Sequence, residues 1–225
     1  MRILVVDSAL ARCTAAVVQD GSVLAHRQVA ATRGQASVLP VLVDEVLRET
    51  GLAAPQLDLI AATVGPGSFT GLRAGLALAH GIGLAAGVPV IGVTVGEALA
   101  EALPRLGRRT LWIAIGSGRG RVYLDRDGDI ASFNLDALPL PGAGAAVAVA
   151  GDAAIPVGGF LAARGWDVML TDARLPAARQ VALVAARRLA GALPDLPAQP
   201  LYVDPPAVKL PAGGLRPPPA GWAPA

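Results

Sequence analysis

Apolar runs and the residues that punctuate them divide the chain into alternating strands and helices. Ile3–Val6 is a continuous run of Ile, Leu and Val ending at Asp7, the pattern of a buried strand. Cys13–Gln19 predicts a second strand and Ser22–Ala31 a third. Asp20-Gly21 between them reads as a hairpin turn, because Gly accepts positive φ at no steric cost. The spacing over 35–50 predicts an amphipathic helix. Val38, Leu42 and Val46 lie near one line, Leu39, Val43 and Leu47 lie beside it, and Asp44, Glu45, Arg48 and Glu49 cover much of the rest. Gly51 is placed to cap it. Leu57–Val64 predicts a fourth strand, Gly65-Pro66-Gly67 a tight loop, and Ser68 the N-cap of a helix over 69–86 that ends at Gly87. Pro89–Val93 follows as a fifth strand and 95–103 as a short helix stopped by Pro104.

The order β-β-β-α-β-α-β-α combines a meander with βα alternation, which calls for a mixed sheet flanked by helices. It is the order of a ribonuclease-H-like or actin-like lobe. The second half repeats it more weakly. Thr110–Ile115 predicts a strand, and Arg121–Leu124 pairs with Ile130–Leu135 across Asp127-Gly128. Residues 136–146 read as a loop, Val147–Ala150 as a strand, 156–164 as a short helix and 176–191 as a clear one. The fold class is therefore α/β with two actin-like lobes. The expected division is a first lobe over 1–105, a second, diverged lobe over 106–210 and a disordered tail over 211–225. Proline is dense from Leu193 onward, so the end of the chain is expected to be extended and irregular.

With 225 residues, 53% of them hydrophobic, the chain can build a sizeable core, and a disordered or coiled-coil protein is excluded. The balance of 19 basic and 17 acidic residues gives no sign of the concentrated positive charge of a stand-alone nucleic-acid binder. Cys13 is the one cysteine, so neither an intrachain disulfide nor a multi-cysteine zinc site can form. No segment reads as a signal peptide or a membrane span.

The candidate chemistry is sparse. Only His26 and His80 could serve as a histidine base or ligand, one on a predicted strand and one on a helix. Gly67-Ser68-Phe69-Thr70-Gly71 superficially suggests a nucleophile elbow, but Pro66 stands where such an elbow needs Gly, and Ser68 is better read as a helix cap. A P-loop is excluded, since the single lysine is Lys209. Gly65-Pro66-Gly67-Ser68 could hold an anion at a helix N-terminus, or could simply need glycine for its geometry. An actin-like ATPase site calls for Gly two residues after the first acid, so that phosphate can approach the backbone. Here Asp7 is followed by Ser8-Ala9, and the hairpin carries Arg12. The matching strand of the second half ends Ile115-Gly116-Ser117-Gly118 without a carboxylate, and Gly158-Gly159 is a weak echo of an adenosine-side turn. The phosphate site reads as degraded.

Gly71, Gly75, Ala79, Gly83 and Gly87 recur every fourth residue of the 69–86 helix. Each interior glycine costs about 1 kcal/mol relative to alanine, so the stripe needs a reason. Two readings stay open: close packing on the chain's own sheet, or a subunit interface shared with the 35–50 helix. Arg73 and His80, seven apart, share another face.

Three stretches carry a family resemblance. Met1-Arg2-Ile3-Leu4-Val5-Val6-Asp7-Ser8-Ala9, the long motif Gly65-Pro66-Gly67-Ser68-Phe69-Thr70-Gly71-Leu72-Arg73-Ala74-Gly75, and Pro89-Val90-Ile91-Gly92-Val93 resemble the TsaB (YeaZ) family. The likeness covers residues 1–103, and Pro200-Leu201-Tyr202-Val203 to Lys209 resembles that family's C-terminal segment. The resemblance implies a cytoplasmic, non-catalytic dimerisation subunit with no catalytic, cofactor-binding or metal-binding residues of its own. Such a subunit binds a TsaD-like catalytic subunit, which supplies metal and active site. With a TsaE-like ATPase they install threonylcarbamoyl on the adenosine beside the anticodon of tRNA, so tRNA is engaged through the complex. The sequence leaves open a homodimer through the same helices when TsaD is absent. By this analogy the interface falls on Val38, Leu39, Leu42 and Val46 of the first helix and Leu72, Arg73, Gly75, Leu76, Ala79, His80 and Gly83 of the second, beside the motif loop Gly65–Gly71.

The chain departs from the family pattern at Gly116-Ser117-Gly118-Arg119-Gly120-Arg121-Val122-Tyr123, where the family often has Asp-Ala-Arg before Gly-Glu-Val-Tyr, at Asp204, and at Gly34 or Gln35 in place of a His. The alternatives are a small actin-like ATPase or kinase in which Asp7 holds a magnesium-bound water, and, against the absence of a nucleophile–base pair, a peptidase.

Overall fold

The computed structural model describes residues 1–31, 34–103, 106–118 and 120–204. In chain order the elements are β1 (Arg2–Asp7), β2 (Arg12–Gln19), β3 (Ser22–Ala30), α1 (Gln35–Thr50), a 3-10 turn (Ala54–Gln56), β4 (Leu59–Gly65), α2 (Phe69–Ala86), β5 (Val90–Thr94), α3 (Val95–Glu101), β6 (Thr110–Gly118), β7 (Arg121–Arg126), β8 (Asp129–Asn134), β9 (Ala146–Ala150), α4 (Ala154–Ala162), β10 (Asp167–Leu170) and α5 (Ala178–Leu189). The tail at 211–225, Pro104, Arg119 and Lys209 lie outside the described residues.

Local chemistry sets most boundaries. Asp20 and Gly21 both have positive φ (50° and 79°), as do Asp127 and Gly128 (56° and 88°), the geometry that matches strand twist in two-residue hairpins. Ser68 caps α2 by accepting from the Gly71 amide at 3.1 Å. Thr94 and Glu97 form a reciprocal capping box on α3. Gly51 and Gly87 close α1 and α2 in the left-handed conformation.

Two five-stranded sheets result, ordered β3-β2-β1-β4-β5 and β8-β7-β6-β9-β10. In each, a three-stranded antiparallel meander continues into two parallel strands. The second sheet thus repeats the first strand for strand, the two-lobed actin-like architecture expected from the element order. β10 has no clear signature in the sequence. It is short and only half-buried, so its alternation is weak. Gly158 and Gly159 stand inside α4 rather than in a turn. A Cβ on Gly158 would press on the Leu170 side chain of β10.

Leu4 and Val6 of β1 face a core shared with α1 and α2, including Leu39, Leu42, Val46, Leu76 and Ala79. Ile3 and Val5 face the opposite side, where Val181, Ala182, Val184 and Ala185 of α5 cover the first sheet. The helix from the second half of the chain is therefore a layer of the first sheet. A third core lies between the second sheet and α4, around Leu124, Val149, Val157 and Leu161. A fourth joins the halves: Leu10, Leu72, Val95 and Leu99 meet Ile113, Ile115 and Ala150.

After α5 the chain returns as an irregular strap, residues 193–204, along the first sheet. Gly92 of edge strand β5 donates to the Leu196 carbonyl at 3.3 Å, and Leu201 donates to the Val64 carbonyl at 2.8 Å. Arg188, 5% exposed, ties these parts together. It donates to the Gly92 and Pro194 carbonyls at 2.6 and 2.7 Å and pairs with Glu97.

Candidate functional site

The glycine-rich loop is built around the turn that follows β1. Ser68 donates its amide to the Ala9 carbonyl at 2.6 Å. The Ser8 hydroxyl donates to the Gly71 carbonyl at 2.8 Å. A Cβ on Gly67 would collide with the Ala9 carbonyl, one on Gly71 with the Ser8 carbonyl, and one on Gly75 with the Ser8 hydroxyl. Gly83 meets Val88 and Val90 at the other end of α2 in the same way. Gly71, Gly75, Ala79 and Gly83 are all buried inside the chain, so the stripe serves the close approach of α2 to its own sheet.

That burial corrects the side chains expected at a partner surface. Leu39, Leu42, Val46, Leu72, Gly75, Leu76, Ala79 and Gly83 fill the core beneath α1 and α2 and cannot also face a neighbour. Val38 is half-buried, and only Arg73 and His80 of the expected set are exposed. The side chains α1 and α2 present outward are others. Val41 is 54% and Leu84 89% exposed, beside exposed Pro40, Ala77 and Gly81. His80 and Arg73 are engaged by the strap: His80 Nε2 lies 2.7 Å from the Ala198 carbonyl, and Arg73 Nε donates to the Tyr202 hydroxyl at 2.8 Å.

A cleft of about 390 Å³ opens between the two halves. The loop after β1 (Ala9–Ala11), Gln35 and Gly67–Phe69 form one wall; Gly116–Gly118, Tyr123 and Asp152 form the other. Of the motif loop, Gly67, Ser68 and Phe69 thus reach it; Gly65 and Pro66 are buried behind, and Thr70 is exposed on α2.

Asp7 does not line this cleft. It is 2% exposed, accepting from the Thr63 hydroxyl at 2.6 Å and the Ala9 amide at 3.0 Å. Burial pushes its pKa above the ordinary 3.8, against the smaller opposing pull of those two hydrogen bonds and the Arg12 charge. Asp152, which the sequence reading passed over, does line it and accepts from the Gly116 amide at 2.8 Å. Burial raises its pKa as well. The signal that could have found it is Gly151 immediately after a short apolar strand. Gly151 has φ 98°, and a Cβ there would collide with the Ala114 carbonyl, so the turn aims the next residue into the gap between sheets.

No helix among the described residues is long and apolar enough to cross a membrane. Residues 28–148, more than half of the chain, match the family model described as TsaD: tRNA N6-adenosine threonylcarbamoyltransferase. The tRNA threonylcarbamoyladenosine biosynthesis protein TsaB of Escherichia coli K12 is 36% identical over 124 residues, 55% of this chain and 53% of that protein. The chain thus spans about half the length of the curated relatives it matches. Among solved structures, YeaZ from Pseudomonas aeruginosa superposes with a TM-score of 0.73 at 24% identity, over 89% of this chain and 99% of that one. A second Pseudomonas aeruginosa structure, described as an uncharacterized protein with similarity to peptidase YEAZ, gives 0.71 at 25% identity over 90% and 99%. The chain belongs to the family that this model describes, and over the stretches just given it is similar to the TsaB and YeaZ proteins.

Proposed function

We propose that this protein is a non-catalytic subunit that binds and supports a TsaD-like catalytic subunit in forming N6-threonylcarbamoyladenosine beside the anticodon of tRNA, in the cytoplasm. The observation that carries this reading is the outer face of α1 and α2. Leu84, Val41, Ala77 and Gly81 lie exposed on neighbouring helices whose opposite faces are already committed to the core. Large apolar side chains left in water on a paired-helix surface suit a protein partner. Small residues at 77 and 81 let a partner helix approach closely.

The cleft supports the same reading. The carboxylate an actin-like ATPase would use, Asp7, is enclosed between Thr63 and the Ala9 amide and is absent from the cleft wall. A TsaE-like ATPase and tRNA join through the assembled complex, and α1–α2 faces pair with a second copy when the catalytic subunit is missing. The lobes are assigned as 1–105 and 106–210 with a tail at 211–225, α5 and the strap serving the first lobe by packing.

The test is light scattering behind a sizing column with the cognate TsaD-like protein. A one-to-one complex is expected, lost in Ala77→Arg and in Leu84→Asp. Separate peaks from two folded proteins would sink the proposal. ATP turnover by the isolated chain, abolished by Asp152→Ala, would favour the ATPase alternative.

A further inference from the structure

Arg73 is an exposed side chain held in one place by the chain's own aromatics. Its guanidinium carbon lies 3.7 Å above the centroid of the Phe69 ring and 5.6 Å from that of Tyr202. The two rings are 5.8 Å apart and tilted by 38°. Arg73 Nε donates to the Tyr202 hydroxyl at 2.8 Å. Tyr202 is itself anchored, since its neighbour Leu201 donates to the Val64 carbonyl of β4. The ring contact and the hydrogen bond from Nε to the hydroxyl together restrain the guanidinium and leave its two terminal nitrogens as a fork.

Nothing described in this chain uses that fork. Arg27, Arg48, Arg109 and Arg121 each have a carboxylate within reach, whereas among the described residues none pairs with Arg73. Phe69 and Tyr202 remain 50% and 47% exposed around it. An arginine framed by half-exposed aromatics is the composition of an interface anchor. A guanidinium fork matches a carboxylate in two parallel hydrogen bonds, and fixing it beforehand removes ordering entropy from the binding step.

We infer that Arg73, stacked on Phe69 and held by Tyr202, is a preorganised receptor for an Asp or Glu carboxylate of the protein that docks on α2. This rests on the proposed docking of a TsaD-like subunit and adds to it a cationic anchor at the strap edge of the helix pair. A protein carboxylate fits better than an RNA phosphate. Phosphate tracking needs several free cations, and among the described residues the neighbours of Arg73 on α2 and the strap are uncharged or engaged: Thr70 and Ala77 are neutral, Asp204 is paired with Arg121, and His80 faces the Ala198 carbonyl.

The experiment is calorimetric titration of the cognate TsaD-like protein into wild type, Arg73→Gln, Arg73→Lys and Tyr202→Phe at low and high salt, with thermal melts of each variant. Arg73→Gln is expected to weaken binding by about tenfold or more and to flatten its salt dependence. Arg73→Lys should recover only part, having charge without the fork, and Tyr202→Phe should fall in between. Wild-type binding with Arg73→Gln unchanged in affinity and salt dependence would overturn the anchor and leave the subunit reading standing. No binding by folded wild type would remove both. A loss of tRNA retention by the assembled complex, with subunit affinity untouched, would also overturn it and reassign Arg73 to a phosphate.

Discussion

The Ser8 hydroxyl donates to the Gly71 carbonyl at 2.8 Å, and the Ser8 carbonyl lies where a Cβ of residue 71 would stand. The turn after β1 and the first turn of α2, 63 residues apart in sequence, are thereby held in close contact. Gly71→Ala forces them apart. Overpacking of this kind costs about 1–3 kcal/mol, and here the obstacle is main chain rather than a side chain that can rotate, so the upper end applies. Urea midpoints of Gly71→Ala and Gly81→Ala make the check. Gly81 has open space around it and should tolerate, or gain from, the added methyl.

Adjacent residues of α2 should respond in opposite ways to the same charge. Leu76 is 4% exposed in the core, and Ala77 is exposed on the outer face. An unpaired carboxylate at 76 must be desolvated, a penalty of about 3 kcal/mol or more that threatens the fold. At 77 it stays in water. Leu76→Asp should therefore lose cooperative melting, and Ala77→Asp should keep it while losing the partner. Equal melting temperatures for the two would contradict the orientation of the helix.

Arg188 joins four parts of the chain: α5 itself, the Gly92 carbonyl of β5, the Pro194 carbonyl of the strap and Glu97 of α3. Arg188→Ala strips two carbonyls and one carboxylate of their donor. Glu97 is about a third exposed and recovers some hydration, so the loss is placed at roughly 2–4 kcal/mol. Lysine offers one ammonium for three acceptors and should restore less than half. Hydrogen exchange at the Leu201 and Gly92 amides should rise in Arg188→Ala, because both bonds hold the strap.

The buried carboxyls should withdraw stability as pH rises from acid through their titration. Burial raises the pKa of Asp7 above 3.8 in the folded chain, so the folded state binds the proton more tightly than the unfolded one. Below 3.8 both states hold it and there is no penalty. Between 3.8 and the raised folded value the penalty grows, and above that value it is complete. Asp125 and Asp152 act in the same direction for the same leading reason. His26 acts in the opposite direction. Burial and the charges of Arg12 and Arg27 lower its pKa, so its contribution rises with pH through the range below 6.5. Comparing Asp7→Asn with wild type at each pH cancels that contribution. The stability of the variant relative to wild type should climb with pH, and a flat difference would mean that the hydrogen bonds and the Arg12 charge fully offset the burial of Asp7.

The positions of the elements were legible in one dimension because their causes are local. Helix period placed α1 over 35–50 and α2 over 69–86, Gly51 and Gly87 marked their ends, and Asp20-Gly21 and Asp127-Gly128 marked the hairpins. The repeated order of those elements carried the two-lobed fold. Periodicity groups residues on one side of a helix without saying whether that side turns toward the chain's own sheet or toward another molecule. Leu39, Leu42, Leu76 and Ala79 are aligned in either case, and only the core beneath them shows that they are spent internally.

Tertiary structure alone decided what depends on contacts between distant segments. α5 crosses to cover the first sheet because the side of β1 bearing Ile3 and Val5 needs an apolar layer that the first half supplies only in part, through Ala98 of α3. Gly67 and Gly71 of the motif answer to the carbonyls of Ala9 and Ser8, about sixty residues earlier. Asp152 reaches the cleft through a glycine turn, and Tyr202 reaches Arg73 through a strap whose proline-rich sequence has no period to read. Sequence fixes backbone preference and side-chain period over a few residues. Burial, desolvation and the meeting of Arg73 with its two rings are properties of the packed chain.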